Sequence, residues 1–371
     1  MTFRDRHLRV FRREPVDRIL WQPRIEHWYG YNKARGTLPE RYRDMELLDV
    51  YDDLGCSIRP YHYFNECIRI QNADDVTNEM IPEPGGYTWI TRTPAGTMTE
   101  RHTTSDLATH TAEYPVKTAK DVDVLEYILR TRKVWFDHDL FRQRDELIGD
   151  RAEPMLFLPR VNMQRILIEI VGWQETAYML ADDRPLLERL VRLINETDEP
   201  VLEAVLRSPM NIINFGDNIH CSTLSPALYE EYVLPAYIER CNKLHQAGKF
   251  VSSHWDGDVK ALLKYAKTSG LDGIEAITPQ PQGDVTLDEV KDALGDEVFL
   301  LDGIPAIYFD ETFSVEVLEE CTRRLIELFA PRLVLGISDE MSSMGDIERI
   351  RIVGRMVDDY NASVAESRMN S

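Results

Sequence analysis

Short apolar runs alternate with longer amphipathic stretches through the second half of the chain. Residues 210–215 (MNIINF) read as a strand that ends in Gly216, Asp217 and Asn218. Ser225-Pro226 then supplies an N-cap and a proline for a first turn. The helix it opens runs to Gly248, with Pro235 expected to kink it. Residues 249–253 (KFVSS) form the next strand, followed by a helix over 259–268. Residues 272–277 (DGIEAI) are a strand, and TLDE at 286–289 is a capping box opening another helix. Strands over 298–302 and 333–337 bracket a helix that starts at Ser314 and stops before Pro331. A last helix opens at Asp346 and keeps Ile347, Ile350, Val353, Met356 and Val357 on one face.

Strands and helices alternating at this spacing make right-handed βαβ units and a parallel sheet. Two closures satisfy the pattern, a barrel and an open doubly wound sheet. No GxGxxG follows a strand, which removes the usual dinucleotide signature. Polar residues gather at the strand C-termini, and a barrel brings them all to one mouth. The expected fold is therefore an α/β (β/α)8 TIM-like barrel. The first half is less regular. Residues 19–23 give a first strand and 155–158 a later one. The Thr-, Tyr-, His- and Gly-rich stretch between them, about 56–115, reads as a β-rich insertion. The 371 residues suit one such domain, spanning 1–371.

Composition narrows the function classes. Acidic residues outnumber basic ones by 64 to 43, for a net charge of −21. That surface repels phosphate backbones, so nucleic acid is not an expected partner. The five cysteines are odd in number and form no CxxC pair, which fits reduced thiols rather than a disulfide framework. The N-terminus is charged and has no apolar core of a signal peptide, and no run of apolar residues is long enough to span a bilayer. A cytoplasmic enzyme without membrane contact is the expectation.

Chemistry points to the barrel mouth. His254 and Asp256 lie two apart, hence on one strand face. Imidazole and carboxylate so placed make either a metal-ligand pair or a general base with its orienter. Asp217, Asn218 and His220 follow the preceding strand; Glu275 lies within the next, Asp302 ends the one after, and Asp339-Glu340 follow the last. Chance helix caps explain one or two of these. Glu275 inside an apolar strand is harder to dismiss, because an unpaired buried carboxylate is costly. Glu275, Asp217 and His220 are therefore the candidate catalytic groups. His254, Asp256 and Glu340 are the candidate metal ligands. Arg24, Arg160, Asn218, Trp255 and Asp302 are the candidate substrate contacts, the arginines as clamps for a carboxylate, as is Arg59. Cys221 is read as an apolar filler, and Tyr29, Tyr31, Tyr61 and Tyr63 as structural as readily as pocket-lining.

The order of EPVDRILWQPR, TPAGTMTERHTTSDLATHTAEYPVKTAKDVDVL, FGDNIHCSTLSPALYEEYVLPAYIERCNKLHQAGKFVSSHWDG and LGISDE resembles the uroporphyrinogen decarboxylase superfamily over nearly the whole chain. The resemblance implies a barrel with its site at the strand C-termini. True decarboxylases carry an arginine-rich stretch after the first strand and a catalytic Asp after the second. Here those places read QPRIEHWYGYN and GCSIRPYHYF, so porphyrinogen decarboxylation is not expected. The corrinoid-linked methyltransferase branch holds zinc by a His-x-Cys pair and a later Cys. Here the pair reads His254-Trp255-Asp256 and the later Cys is missing, which leaves a zinc site of nitrogen and oxygen ligands. By this resemblance the chain is a methyltransferase that demethylates a small methylated substrate. Its implied partners are a corrinoid (cobalamin-type) protein and a second copy of the chain as a homodimer. A decarboxylase or lyase of a small carboxylic acid, and a non-catalytic ligand- or corrinoid-protein-binding subunit, are the alternatives.

Overall fold

The computed structural model describes residues 1–105 and 108–369. Seven parallel strands form a single curled sheet: β1 (Leu20–Trp21), β2 (Met155–Leu158), β3 (Ile212–Ile219), β4 (Phe250–Trp255), β5 (Gly273–Glu275), β6 (Phe299–Pro305) and β7 (Leu333–Ser338). Their spatial order is β2-β3-β4-β5-β6-β7-β1, each pair parallel. From β2 to β7 every strand thus lies beside its successor, and β7 returns to β1.

Between β1 and β2 the wall is completed by an irregular segment. Ser57 N donates to Trp21 O at 2.9 Å, and the Gln22 amide donates to Ile58 O at 2.7 Å. On the far side, Phe157 N donates to Asn65 Oδ1 at 2.8 Å, and Tyr61 stacks on Phe157 with ring centroids 3.9 Å apart. The β-rich insertion consequently begins at Ile68, not at Cys56. Cys56, Ser57, Ile58 and Arg59 are all buried, and a stave covered on both sides shows no polar–apolar alternation to read. The insertion proper comprises Ile68–Gln71 paired with Lys133–Phe136, and a four-stranded antiparallel meander from Thr77 to Glu113.

Helix α1 (Phe3–Phe11), opened by a capping box at Thr2, closes the floor. It sets Val10 and Phe11 against Leu20, Met155, Ile212, Phe299, Leu301 and Val334, the residues at the lower ends of the strands. Helices Arg184–Leu206, Leu234–Gln246, Leu287–Leu294, Val315–Phe329 and Glu348–Met369 cover the outside. Two expected helices are modified. The stretch after Ser225 widens into a turn of i→i+5 type at Tyr229–Val233 before Leu234–Gln246, with Pro235 in its first turn. Residues 259–268 make tight turns, regular only at Leu263–Thr268. Among the described residues no helix is long and apolar enough to cross a membrane.

Candidate active site

In-register neighbours on parallel strands point the same way. His254 on β4 is opposite Glu275 on β5, and both face the barrel interior. His254 Nδ1 and Glu275 Oε1 lie 2.9 Å apart, with His254 only 5% exposed and Glu275 fully buried. Glu275 Oε2 accepts from Tyr61 Oη at 2.6 Å and from Arg59 Nη1 at 3.2 Å. Both Arg59 and Tyr61 come from the irregular stave, so closing the barrel also completes the site.

Arg59 makes a second, bidentate pair with Asp302, its Nη1 donating to Oδ2 at 2.8 Å and Nη2 to Oδ1. Strand alternation alone would turn Asp302 outward, since its neighbour Leu301 is in register with Glu275. A positive φ of 78° at Asp302 breaks that alternation and brings its carboxylate inside. There it also accepts from Ala276 N at 3.2 Å. Gly336 makes room: a Cβ at that position would lie 2.1 Å from Asp302 Oδ1.

Positive φ recurs around the mouth. Asn218 (52°) lies near the end of β3, Ala276 (65°) and Asp339 (74°) just past β5 and β7, and Asp302 (78°) within β6. Asn and Asp tolerate this region better than most residues, but Ala does not favour it. Such conformations persist where surrounding contacts impose them, and they cluster at functional sites.

Electrostatics divide the labour. Burial by itself would discharge His254, but the hydrogen bond and charge of Glu275 more than reverse this, and its pKa stands above the ordinary 6.5. Burial opposes ionisation of Glu275 as well, yet Arg59 and His254 hold its carboxyl well below the usual carboxylate range. Asp302 shares the one arginine with Glu275. Burial, with the neighbouring Glu275 charge, leaves it above its ordinary value despite Arg59. Burial also keeps Tyr61 protonated, so it serves Glu275 as a donor. The centre is an oriented imidazole, biased towards its protonated form, that lines a cavity of about 260 Å³.

That cavity collects four of the residues expected from sequence: Arg24, Arg160, Asn218 and His254. Arg160 donates to Asn218 Oδ1 at 2.9 Å and to Glu169 Oε1 at 2.6 Å. Arg24 donates to Asp339 at 3.0 Å and Glu340 at 2.9 Å. Glu275 and Asp302 stand behind His254 in the network already described. Other expectations are not met. Asp217 is fully buried and accepts from Val161 N at 2.9 Å and from Tyr237 Oη, which fixes the backbone after β2 rather than facing the cavity. His220 turns to Thr223 Oγ1 at 3.2 Å, because the chain bends at Asn218 before reaching it. Trp255 packs edge-on against Tyr229 in the outer layer, with centroids 5.6 Å apart. With His254 facing in, its strand neighbour must face out.

The candidate metal set is not assembled. Glu340 is drawn to Arg24, the His254 Nδ1 position is taken by Glu275, and both Glu275 oxygens already accept from donors. Among the described residues, no three His, Cys, Asp or Glu side chains have the arrangement of a metal site. Asp256 keeps a buried Oδ1 without a hydrogen-bond partner, but His254, Asp256 and Glu340 are not brought together as a zinc site. Sequence reasoning passed over Gln22 and Glu169 as site residues, and it weighed Tyr61 and Asp339 without giving either a role. Tyr61 lies just past Arg59, at the start of the short helix Tyr61–Phe64, so strand parity could not place it.

The stretch that carries His254, Glu275 and Asp302 lies within residues 167–325, which match the family model described as uroporphyrinogen decarboxylase (URO-D). The match bears out the resemblance to that superfamily over those residues. No curated protein matches the chain. Among solved structures, a methyltransferase from Methanosarcina mazei superposes with a TM-score of 0.61 at 12% identity, over 97% of this chain and 99% of its own. A putative vitamin-B12 independent methionine synthase from Listeria monocytogenes covers 92% of this chain and 96% of its own, at 12% identity and a TM-score of 0.43. Likeness at such identity concerns the fold, and the first of these supports the barrel assignment.

Proposed function

We propose that the protein is an enzyme that removes a methyl group from a small methylated compound and passes it to a corrinoid carried by a partner protein, with His254 as general acid. The observation that carries this reading is the His254–Glu275 pair: an imidazole held by Nδ1, biased towards its protonated form, that lines a small cavity. A methylated oxygen, nitrogen or sulfur leaves poorly unless it gains a proton as the bond to methyl breaks. His254 Nε2 donates that proton, Glu275 steadies the ring through Nδ1, and the histidine recovers its proton from solvent. Arg59 and Tyr61 keep Glu275 ionised and fixed, so the pair is set before the substrate arrives.

The methyl acceptor has to come from outside the chain. Burial raises the pKa of all five thiols, Cys56, Cys67, Cys221, Cys241 and Cys321, so none is a ready thiolate. A reduced corrinoid on a partner protein would supply the nucleophile. The cavity, about 260 Å³, is below the usual range of drug-sized pockets, about 300–1,000 Å³. That favours a small substrate over a tetrapyrrole.

The test mixes the protein with methoxy, methylthio and methylamine compounds and Co(I) cobalamin, and follows methylcobalamin by absorbance. Transfer that is lost in His254→Gln is expected. Carbon dioxide release from a carboxylated compound with no corrinoid present would replace this reading with a decarboxylase or lyase, in which His254 protonates the carbanion. Failure of both assays would leave a binding subunit.

A further inference from the structure

Arg24 carries more negative charge than it needs. Its side chain is 12% exposed and reaches two separate carboxylates, Glu340 at Nη2 and Asp339 at Nη1. Glu340 alone neutralises it. Asp339 is the loosely held partner: its side chain is 55% exposed, and its backbone sits at a φ of 74°. The same Asp339 oxygen that meets Arg24 also lies 3.9 Å from His254 Nε2. One exposed carboxylate therefore covers both the buried guanidinium and the acid's free nitrogen.

The groups lining the cavity show what it would attract. Arg24, Arg160 and His254 face it as cations, and Asp339 and Glu169 as anions. Take Asp339 away and each cation keeps one carboxylate, Glu340 on Arg24, Glu169 on Arg160 and Glu275 on His254, but Arg24 Nη1 is left without an acceptor. A guanidinium donor left without an acceptor in a mostly buried setting selects a ligand oxygen to fill it. A planar guanidinium selects a carboxylate by shape.

We propose that the cavity binds a small carboxylate, and that Asp339 holds the carboxylate's place on Arg24 until the ligand displaces it. This rests on the methyl-transfer reading for what the ligand then undergoes, and it names the substrate class: a small acid bearing a methylated heteroatom a few bonds from its carboxylate. Displacement does two things at once. The ligand's anion docks on Arg24, and His254 Nε2 loses Asp339 and faces the ligand's leaving atom. With the cavity empty, Asp339 shields the acid from water, so binding and proton delivery are coupled.

Calorimetric titration with benzoate, with neutral benzamide as control, tests the proposal without turnover. Benzoate is expected to bind and benzamide not. Asp339→Asn keeps the shape and tolerates the same backbone, and is expected to bind benzoate about tenfold more tightly, the size of one contact-range like charge removed at partial screening. Arg24→Lys is expected to weaken it by about as much, having lost the fork geometry. Unchanged or weaker affinity in Asp339→Asn, or benzamide binding as well as benzoate, would overturn it. Methyl transfer with no gain of affinity in Asp339→Asn sinks only this proposal. The full binding pattern with no methyl transfer from any methylated acid sinks only the methyl-transfer reading.

Discussion

Two histidines on the same barrel are both shut off from water and are driven in opposite directions. His254, at the mouth, is 5% exposed, and His7, on the helix that closes the floor, is 0% exposed. His254 has Glu275 at 2.9 Å and its pKa is raised. His7 finds no protein partner for either ring nitrogen among the described residues, and its pKa is pushed down to about 3 by burial, with Arg59 adding to the effect. The comparison shows that burial supplies no acid by itself. It is the carboxylate on the neighbouring strand that turns a buried, neutral ring into a proton donor, and Arg59 that makes the carboxylate affordable to bury.

The most severe way to break the comparison is to remove Arg59. Arg59→Leu leaves Asp302 buried without its charged partner, beside a Glu275 that keeps only His254 and Tyr61. Leaving a buried charge without its partner costs about 3–5 kcal/mol. Denaturant unfolding is expected to show a loss of that order, with Arg59→Lys intermediate. A midpoint unmoved by Arg59→Leu would mean that the network is not ionised as described.

Next in size is Glu275→Gln, which makes His254 resemble His7. Its pKa is expected to fall below 6.5 by NMR titration, and turnover at neutral pH to fall by about 10²–10⁴-fold, the usual worth of a positioned acid. The pH dependence has a definite sign. A histidine raised in the folded state lends stability that is complete below its unfolded pKa and disappears as pH rises through the folded value. The acid form follows the same course, so wild-type activity should fall on the alkaline limb. In Glu275→Gln that limb should move to lower pH. A His254 titration unchanged by the substitution would mean that Glu275 does not hold the proton on the ring.

Much of this was legible in the residues alone. Glu275 is conspicuous as a charge inside an apolar strand, and the strand ends from 210 to 340 announce where polar groups meet. Parity was legible too, and it places Trp255 outside once His254 is inside. The remainder depends on contacts distant in sequence. Arg59 reaches Glu275 across 216 positions from a stave with no readable alternation. Asp302 turns inward through its own backbone angle, which no pattern of residue types dictates. Glu340 is a plausible metal ligand in the sequence, but Arg24, 316 positions away, takes it.

The smallest effect sharpens the comparison from the other side. His7 is neutral when folded down to about pH 3, whereas the unfolded chain's histidine takes a proton near 6.5. Between those values the unfolded state binds more protons than the folded one, so stability rises with pH and is lost as pH falls. The loss is about 1.4 kcal/mol per pH unit for a single group, and it ends once pH passes below the folded value. His7→Phe removes the titration and suits the surroundings, since His7 already packs against Phe11 with centroids 5.5 Å apart. Phenylalanine carries no ring nitrogen to leave unpartnered. Unfolding midpoints of the wild type and His7→Phe, measured from pH 7 to pH 4, should diverge as pH falls, with the variant holding its stability. His254 does not produce this acid loss, because its pKa is shifted the other way. Parallel curves for the two proteins would mean that His7 is hydrogen-bonded or charged in the fold, and the contrast between the two ends of the barrel would collapse.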